Sequence, residues 1–183
     1  MRRFIWASSY IAGGIAAGAL SAFAVIQSSG VEHVASGTPW LSRQTALVEQ
    51  QSFYVRAHYL LDGRLPPAPG QVSEATAETD TDNRPLTGAC TFRIASTGPL
   101  PAWWSFTVIA ADAAEAPLQS AIDSGSVIRE ADGSVVIRAN PSPRPGNWLK
   151  TPDRRRFTLL YSALPQGRAV TTPPFEIRQE GCP

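Results

Sequence analysis

The sequence predicts a mainly β fold: an antiparallel β-sandwich or partly closed barrel with one covering helix, preceded by an amino-terminal transmembrane helix. Three observations carry this. Met1-Arg2-Arg3 is followed by an uncharged run from Phe4 to Ile26. From Ser42 to Leu61, apolar positions such as Leu47, Phe53, Ala57, Leu60 and Leu61 recur at near-helical spacing, with no Gly or Pro until Gly63. From Gln71 onward, short apolar runs alternate with turn residues, which is the punctuation of a sandwich or barrel.

The chain has 183 residues, enough for one membrane segment and one domain with its own core. A net charge of +1 and a hydrophobic content of 43% argue against a disordered tail and against a general electrostatic grip on nucleic acid.

The first run spans a hydrocarbon core, since about 20 apolar residues suffice. Arg2 and Arg3 precede it and no Lys or Arg follows until Arg43, so the positive-inside rule places the amino terminus in the cytoplasm. Residues 1–26 are then a cytoplasmic start and inner-membrane anchor, 27–39 a periplasmic spacer and 40–183 the periplasmic domain. The rival reading is a cleaved signal peptide releasing a soluble periplasmic domain, for which Ala22-Phe23-Ala24 offers small residues at the inspected positions. Gly14 and Gly18 form a small-xxx-small pair that would allow weak self-association of two such helices.

The helix from Ser42 to Leu61 must bury its apolar stripe, and a face or edge of the sheet is the available place. Candidate strands are Val72–Thr79, Ala89–Ala95, Trp103–Ala110, Ser126–Glu130, Ser134–Ala139, Arg156–Ser162 and Phe175–Gln179. The central one follows Pro99 and Pro101, which cannot donate ladder hydrogen bonds and mark its entry; Asp112 closes it. Its period of two sends Trp104, Phe106 and Val108 to the core and leaves Trp103 on the other face. Val127 to Ile137, with Asp132-Gly133 at its centre, reads as a hairpin because Asp-Gly adopts the positive φ that tight turns need.

Cys90 and Cys182 are the only cysteines. In an exported domain they are expected to form a disulfide fastening the last strand to the sheet. Neither has CxxC spacing or paired histidine support, so no metal site is expected.

Several landmarks occur in order: Asp80 to Gly88, Leu100 to Thr107 with its Trp103-Trp104-Ser105, Asp132-Gly133-Ser134, Asn147-Trp148-Leu149, and Phe157 to Tyr161. This string resembles the bacterial domain-of-unknown-function family 1214 over roughly Arg56 to Cys182. The resemblance implies a mainly antiparallel β domain, often found downstream of a second uncharacterised domain numbered 1254. This chain looks like a short, membrane-anchored form without that partner. The family has no agreed reaction, so the resemblance implies a fold and an address without a mechanism.

The inventory for catalysis is thin. His33 and His58 are the only histidines, and there is no HExxH, GxSxG or phosphate-cradling glycine loop. No catalytic residue and no cofactor is assigned. Asp80, Asp82, Asp112 and Asp132 lie near strand ends, where turn formation accounts for them. The expected ligand-binding residues are Trp103, Arg84, Asn147 and Trp148, since an exposed indole stacks on flat faces while Arg and Asn supply directed hydrogen bonds. The leading function is a non-catalytic module for an envelope protein or glycan. The alternative is an envelope enzyme acting on a carbohydrate or lipid-linked substrate through a groove near Trp103.

Overall fold

Helix α1 spans Arg2–Ser28, 27 residues or about 40 Å of helix. Within it, the 19 residues Tyr10–Ser28 are long and apolar enough to cross a membrane, a test that a signal sequence also passes. The computed structural model describes residues 2–28, 31–33, 37–43, 53, 57, 60–61, 72–110, 120–164 and 172–182. The chain divides into two units, one formed by Met1–Val31 and Thr45–Pro69 and the other by Glu32–Gln44 and Gly70–Pro183.

The first unit is helical wherever it is described, apart from Val31. Of the expected helix from Ser42 to Leu61, Phe53, Ala57, Leu60 and Leu61 are helical. Ser42 and Arg43 instead lie in a strand. Ser42 pairs with Ala75, and its hydroxyl donates to the Glu74 carbonyl at 3.2 Å. The rest of that segment, His58 included, lies outside the described residues.

The second unit is a sandwich of two sheets. Its strands are β1 (Val31–His33, whose first residue falls to the other unit), β2 (Leu41–Arg43), β3 (Ser73–Ala77), β4 (Thr91–Ser96), β5 (Trp104–Ala110), β6 (Ser120–Asp123), β7 (Val136–Asn140), β8 (Asn147–Lys150), β9 (Phe157–Ala163) and β10 (Phe175–Gly181). One sheet runs β1-β2-β3-β9-β5-β6 and the other β10-β4-β7-β8. The sheets do not close into a barrel.

Alternation builds the core. In β5, Trp104, Phe106 and Val108 are buried while Ser105 and Thr107 are half-buried, and β9 repeats the pattern with Phe157, Leu159, Tyr161 and Ala163. The other sheet contributes Phe92, Ile94, Ile137, Ala139, Leu149, Phe175 and Ile177. Rings meet across the two layers, with centroids 5.1 Å apart for Trp104 and Phe175 and 4.9 Å for Phe106 and Phe175. Both pairs are edge-to-face, the arrangement that ring quadrupoles favour. Trp40 joins this cluster, fully buried, and its indole N–H donates to the Phe175 carbonyl at 2.9 Å.

The expected hairpin from Val127 to Ile137 is only half formed. Its turn is present: Gly133 has φ +82°, and the Glu130 N–H donates to the Ser134 carbonyl at 2.9 Å. Ser126–Glu130 is not a strand, however. Beside β7 lies β8, paired parallel to it with Asn147 opposite Ile137. Only six residues separate these strands, far fewer than a parallel connection ordinarily takes. Gly146, at φ +82°, helps the proline-rich segment double back.

Candidate functional site

The four residues expected to bind a ligand do not come together. Trp103 stands at the entry of β5, 40% exposed, with its carbonyl accepting the Leu164 N–H at 3.1 Å. Arg84 lies in the turn between β3 and β4, next to the opposite end of β9, where the Phe157 N–H donates to Leu86. The seven residues of β9 separate these positions by about 20 Å. Arg84 approaches the carboxylates of Asp82 at 3.4 Å and Asp80 at 4.0 Å. Asp80 is itself wholly buried, and its Oδ1 accepts the N–H groups of Asp82 and Arg84. This Asx-type geometry is how a short acidic side chain organises a turn.

Asn147 is buried and its amide is fully engaged. Its Oδ1 accepts the Ile128 N–H at 2.7 Å, while Nδ2 donates to the carbonyls of Ile128 at 2.7 Å and Val136 at 2.9 Å. The side chain thus ties Ile128 to β8 where no ladder forms. Asn147→Asp keeps the shape but faces two carbonyl oxygens with an acceptor. It is expected to lower stability by about 2 to 3 kcal/mol in urea unfolding; an unchanged midpoint would show that the amide is free to serve a ligand instead.

Trp148 occupies the outer face of the four-stranded sheet, and its indole N–H donates to the Asn140 carbonyl at 2.9 Å. On this face the registers align Arg178 opposite Arg93, Arg93 opposite Arg138, and Arg138 opposite Trp148. One row therefore crosses all four strands, three guanidinium side chains and an indole within about 14 Å of backbone. Like charges directly opposite each other are unfavourable. Two carboxylates offset this: Glu176 reaches Arg178 at 3.0 Å and Arg93 at 3.7 Å, and Glu180 reaches Arg138 at 3.6 Å. The arginine side chains stay between 37% and 61% exposed, so these pairs stabilise little and the donors face solvent.

A shallow hollow of about 610 Å³ adjoins the row, lined by Arg93, Arg138, Glu130, Asp132 and Ser134 among others. Asp132 is a turn residue. Hydrogen bonds from Ser134, the hydroxyl first and then the N–H, hold its carboxyl below the usual carboxylate range. Burial pushes the Tyr161 phenol well above its ordinary pKa, so it is no base at neutral pH. Among the described residues, no group of three or more His, Cys, Asp or Glu side chains is placed to hold a metal ion.

Cys90 and Cys182 are joined as a disulfide with a Cα separation of 4.2 Å. It closes the end of the β4–β10 ladder, beyond the pairing of Thr91 with Gly181.

Sequence reasoning missed the arginine row. Its signal was an arginine following a core residue in Phe92-Arg93, Ile137-Arg138 and Ile177-Arg178. Nothing local reveals that those strands are neighbours.

No curated protein matches the chain. Among solved structures, the VPA0106 protein from Vibrio parahaemolyticus is similar at a TM-score of 0.56 and 16% identity, over 70% of this chain and 35% of that one. An uncharacterized protein from Burkholderia cenocepacia is similar at a TM-score of 0.45 and 22% identity, over 60% of this chain and 29% of that one. The chain thus spans about a third of the length of these structures, and its likeness to the Vibrio protein is one of fold. Residues 71–165, just over half of the chain and the seven strands from β3 to β9, match the family model described as protein of unknown function (DUF1214). The chain belongs to the DUF1214 family.

Proposed function

We propose that the chain is a single-pass membrane protein whose sandwich is a non-catalytic binding module in the periplasm, with its contact surface on the outer face of the four-stranded sheet. The arginine row in register with Trp148 carries this reading. Three like charges set side by side exceed the two carboxylates, Glu176 and Glu180, that pair with them, and they present planar donors suited to acidic or polyhydroxylated partners. The apolar stretch of α1 and the Arg2-Arg3 pair before it support a tether with a cytoplasmic start. The Cys90–Cys182 disulfide supports an oxidising compartment.

The test is in-cell cross-linking of the tagged full chain beside the triple variant Arg93→Gln, Arg138→Gln, Arg178→Gln. Envelope partners are expected to be lost from the triple variant and retained by the control Arg129→Gln, whose arginine is exposed and donates to the Gly133 carbonyl within the Asp132-Gly133 turn. Partners recovered equally from all three would remove this face from consideration.

A further inference from the structure

A second hollow opens beside the Thr91 end of the same sheet face, with a volume of about 460 Å³. Thr91, Asn140, Arg144, Asp153, Arg154 and Cys182 are among its lining residues. Arg144 and Arg154 are exposed, and among the described residues neither has a carboxylate within ion-pairing distance. With Asp153 counted, the charged side chains lining the hollow sum to +1.

Two further details bear on the hollow. Asn140 Nδ2 donates to the Thr91 hydroxyl oxygen at 2.6 Å, which leaves the hydroxyl proton for another acceptor. Arg154 has φ +51°, a backbone conformation unfavourable for a residue with a Cβ. The turn that holds it there sits on Gly88, where an added Cβ would meet the Pro152 carbonyl carbon at 2.7 Å and the Arg154 nitrogen at 3.2 Å.

We infer that this hollow binds a phosphoryl group carried by a larger ligand. Donors from three separate segments (β4, the loop before β8 and the turn before β9) surround it, which suits an anion with several oxygens. Guanidinium groups match phosphate oxygens in paired hydrogen bonds. The hollow is larger than one phosphate, so the group would be an end or branch of the ligand. The inference rests on the proposed binding role of this face for its setting, but it uses different residues from the row.

The test is thermal unfolding of the full chain in nonionic micelles, in sodium phosphate and in sodium chloride of equal ionic strength. The melting temperature is expected to rise with the logarithm of phosphate concentration, as mass action requires. That rise should vanish in Arg144→Gln and in Arg154→Gly. Glycine adopts positive φ freely, so Arg154→Gly should melt at or above the wild-type temperature without phosphate, which separates lost binding from lost folding. No phosphate-specific rise in the wild type, or a rise that persists in Arg154→Gly, overturns the inference.

Mixed micelles doped with phosphatidylglycerol or phosphatidylcholine, free of inorganic phosphate, identify the source. An Arg154-dependent rise with phosphatidylglycerol points to a lipid headgroup. A rise with inorganic phosphate alone points to a soluble phosphorylated ligand. The row variant Arg93→Gln, Arg138→Gln, Arg178→Gln should keep its phosphate response, so this site and the proposed docking face can fail independently.

Discussion

Gly88→Ala is expected to lower the stability of the sandwich by about 3 to 5 kcal/mol, with a fall in melting temperature of roughly 10 to 20 °C. The requirement is spatial. The Gly88 N–H donates to the Arg155 carbonyl at 2.9 Å, which draws the chain against the turn that precedes β9. A methyl group there would overlap the backbone carbonyl of Pro152. Neither side can yield cheaply, because the obstacle is main chain rather than the end of a flexible side chain. Any relief would also have to break the bridge between Thr87 and Arg156. Urea unfolding of the full chain in nonionic micelles measures the effect. A loss below about 1 kcal/mol would show that the turn can move away, and would remove the support it gives Arg154.

Removal of the disulfide is expected to have an effect of similar size. Cys90 and Cys182 are separated by 92 residues, and the chain-entropy model assigns a bridge of that span about 4 to 5 kcal/mol before strain. Its place adds a local effect. β10 pairs along one side with β4, and the register shifts between Gln179 and Gly181, just before the bridge. Cys182→Ala should therefore release the end of β10 first. Hydrogen exchange is expected to accelerate at the β10 amides well before it does in β5 or β9. Wild-type protein in reductant should match the variant in both unfolding midpoint and exchange. A reductant-treated protein that unfolds like the oxidised one would mean that the ladder holds the strand without the bridge.

The elements that could be read from sequence are those whose signals are local. The alternation in Trp104-Ser105-Phe106-Thr107-Val108 defines a core strand whatever lies beside it, and β3, β4, β7, β9 and β10 were legible on the same ground. Three of the elements misread or missed depend on distant partners. Ser42 reads as helical by spacing, yet it pairs with Ala75 more than thirty positions away. Ser126–Glu130 has the composition of a hairpin arm, but Asn147 takes up the main-chain groups of Ile128, and β8 stands beside β7. The four residues of β8 are too few for a periodic signal. The candidate site follows the same division. Trp103 was expected to lie off the core face and does, while Asn147 and Trp148, polar or amphipathic in sequence, spend their hydrogen-bonding groups within the fold.

By itself the sequence determined an apolar amino-terminal span, a strand-rich domain with an inward face on each long strand, and two cysteines available to pair. Each of these depends on a property of residues a few positions apart: hydrophobic run length, a side-chain period of two, turn chemistry. The tertiary structure alone decided that Arg178, Arg93 and Arg138 form one row with Trp148, and that Arg144, Arg154 and Thr91 border one hollow. The physical reason is strand order. Side-chain direction follows from the local pleat, but lateral neighbours follow from which strands pair, and β10-β4-β7 joins segments dozens of residues apart through a shared core.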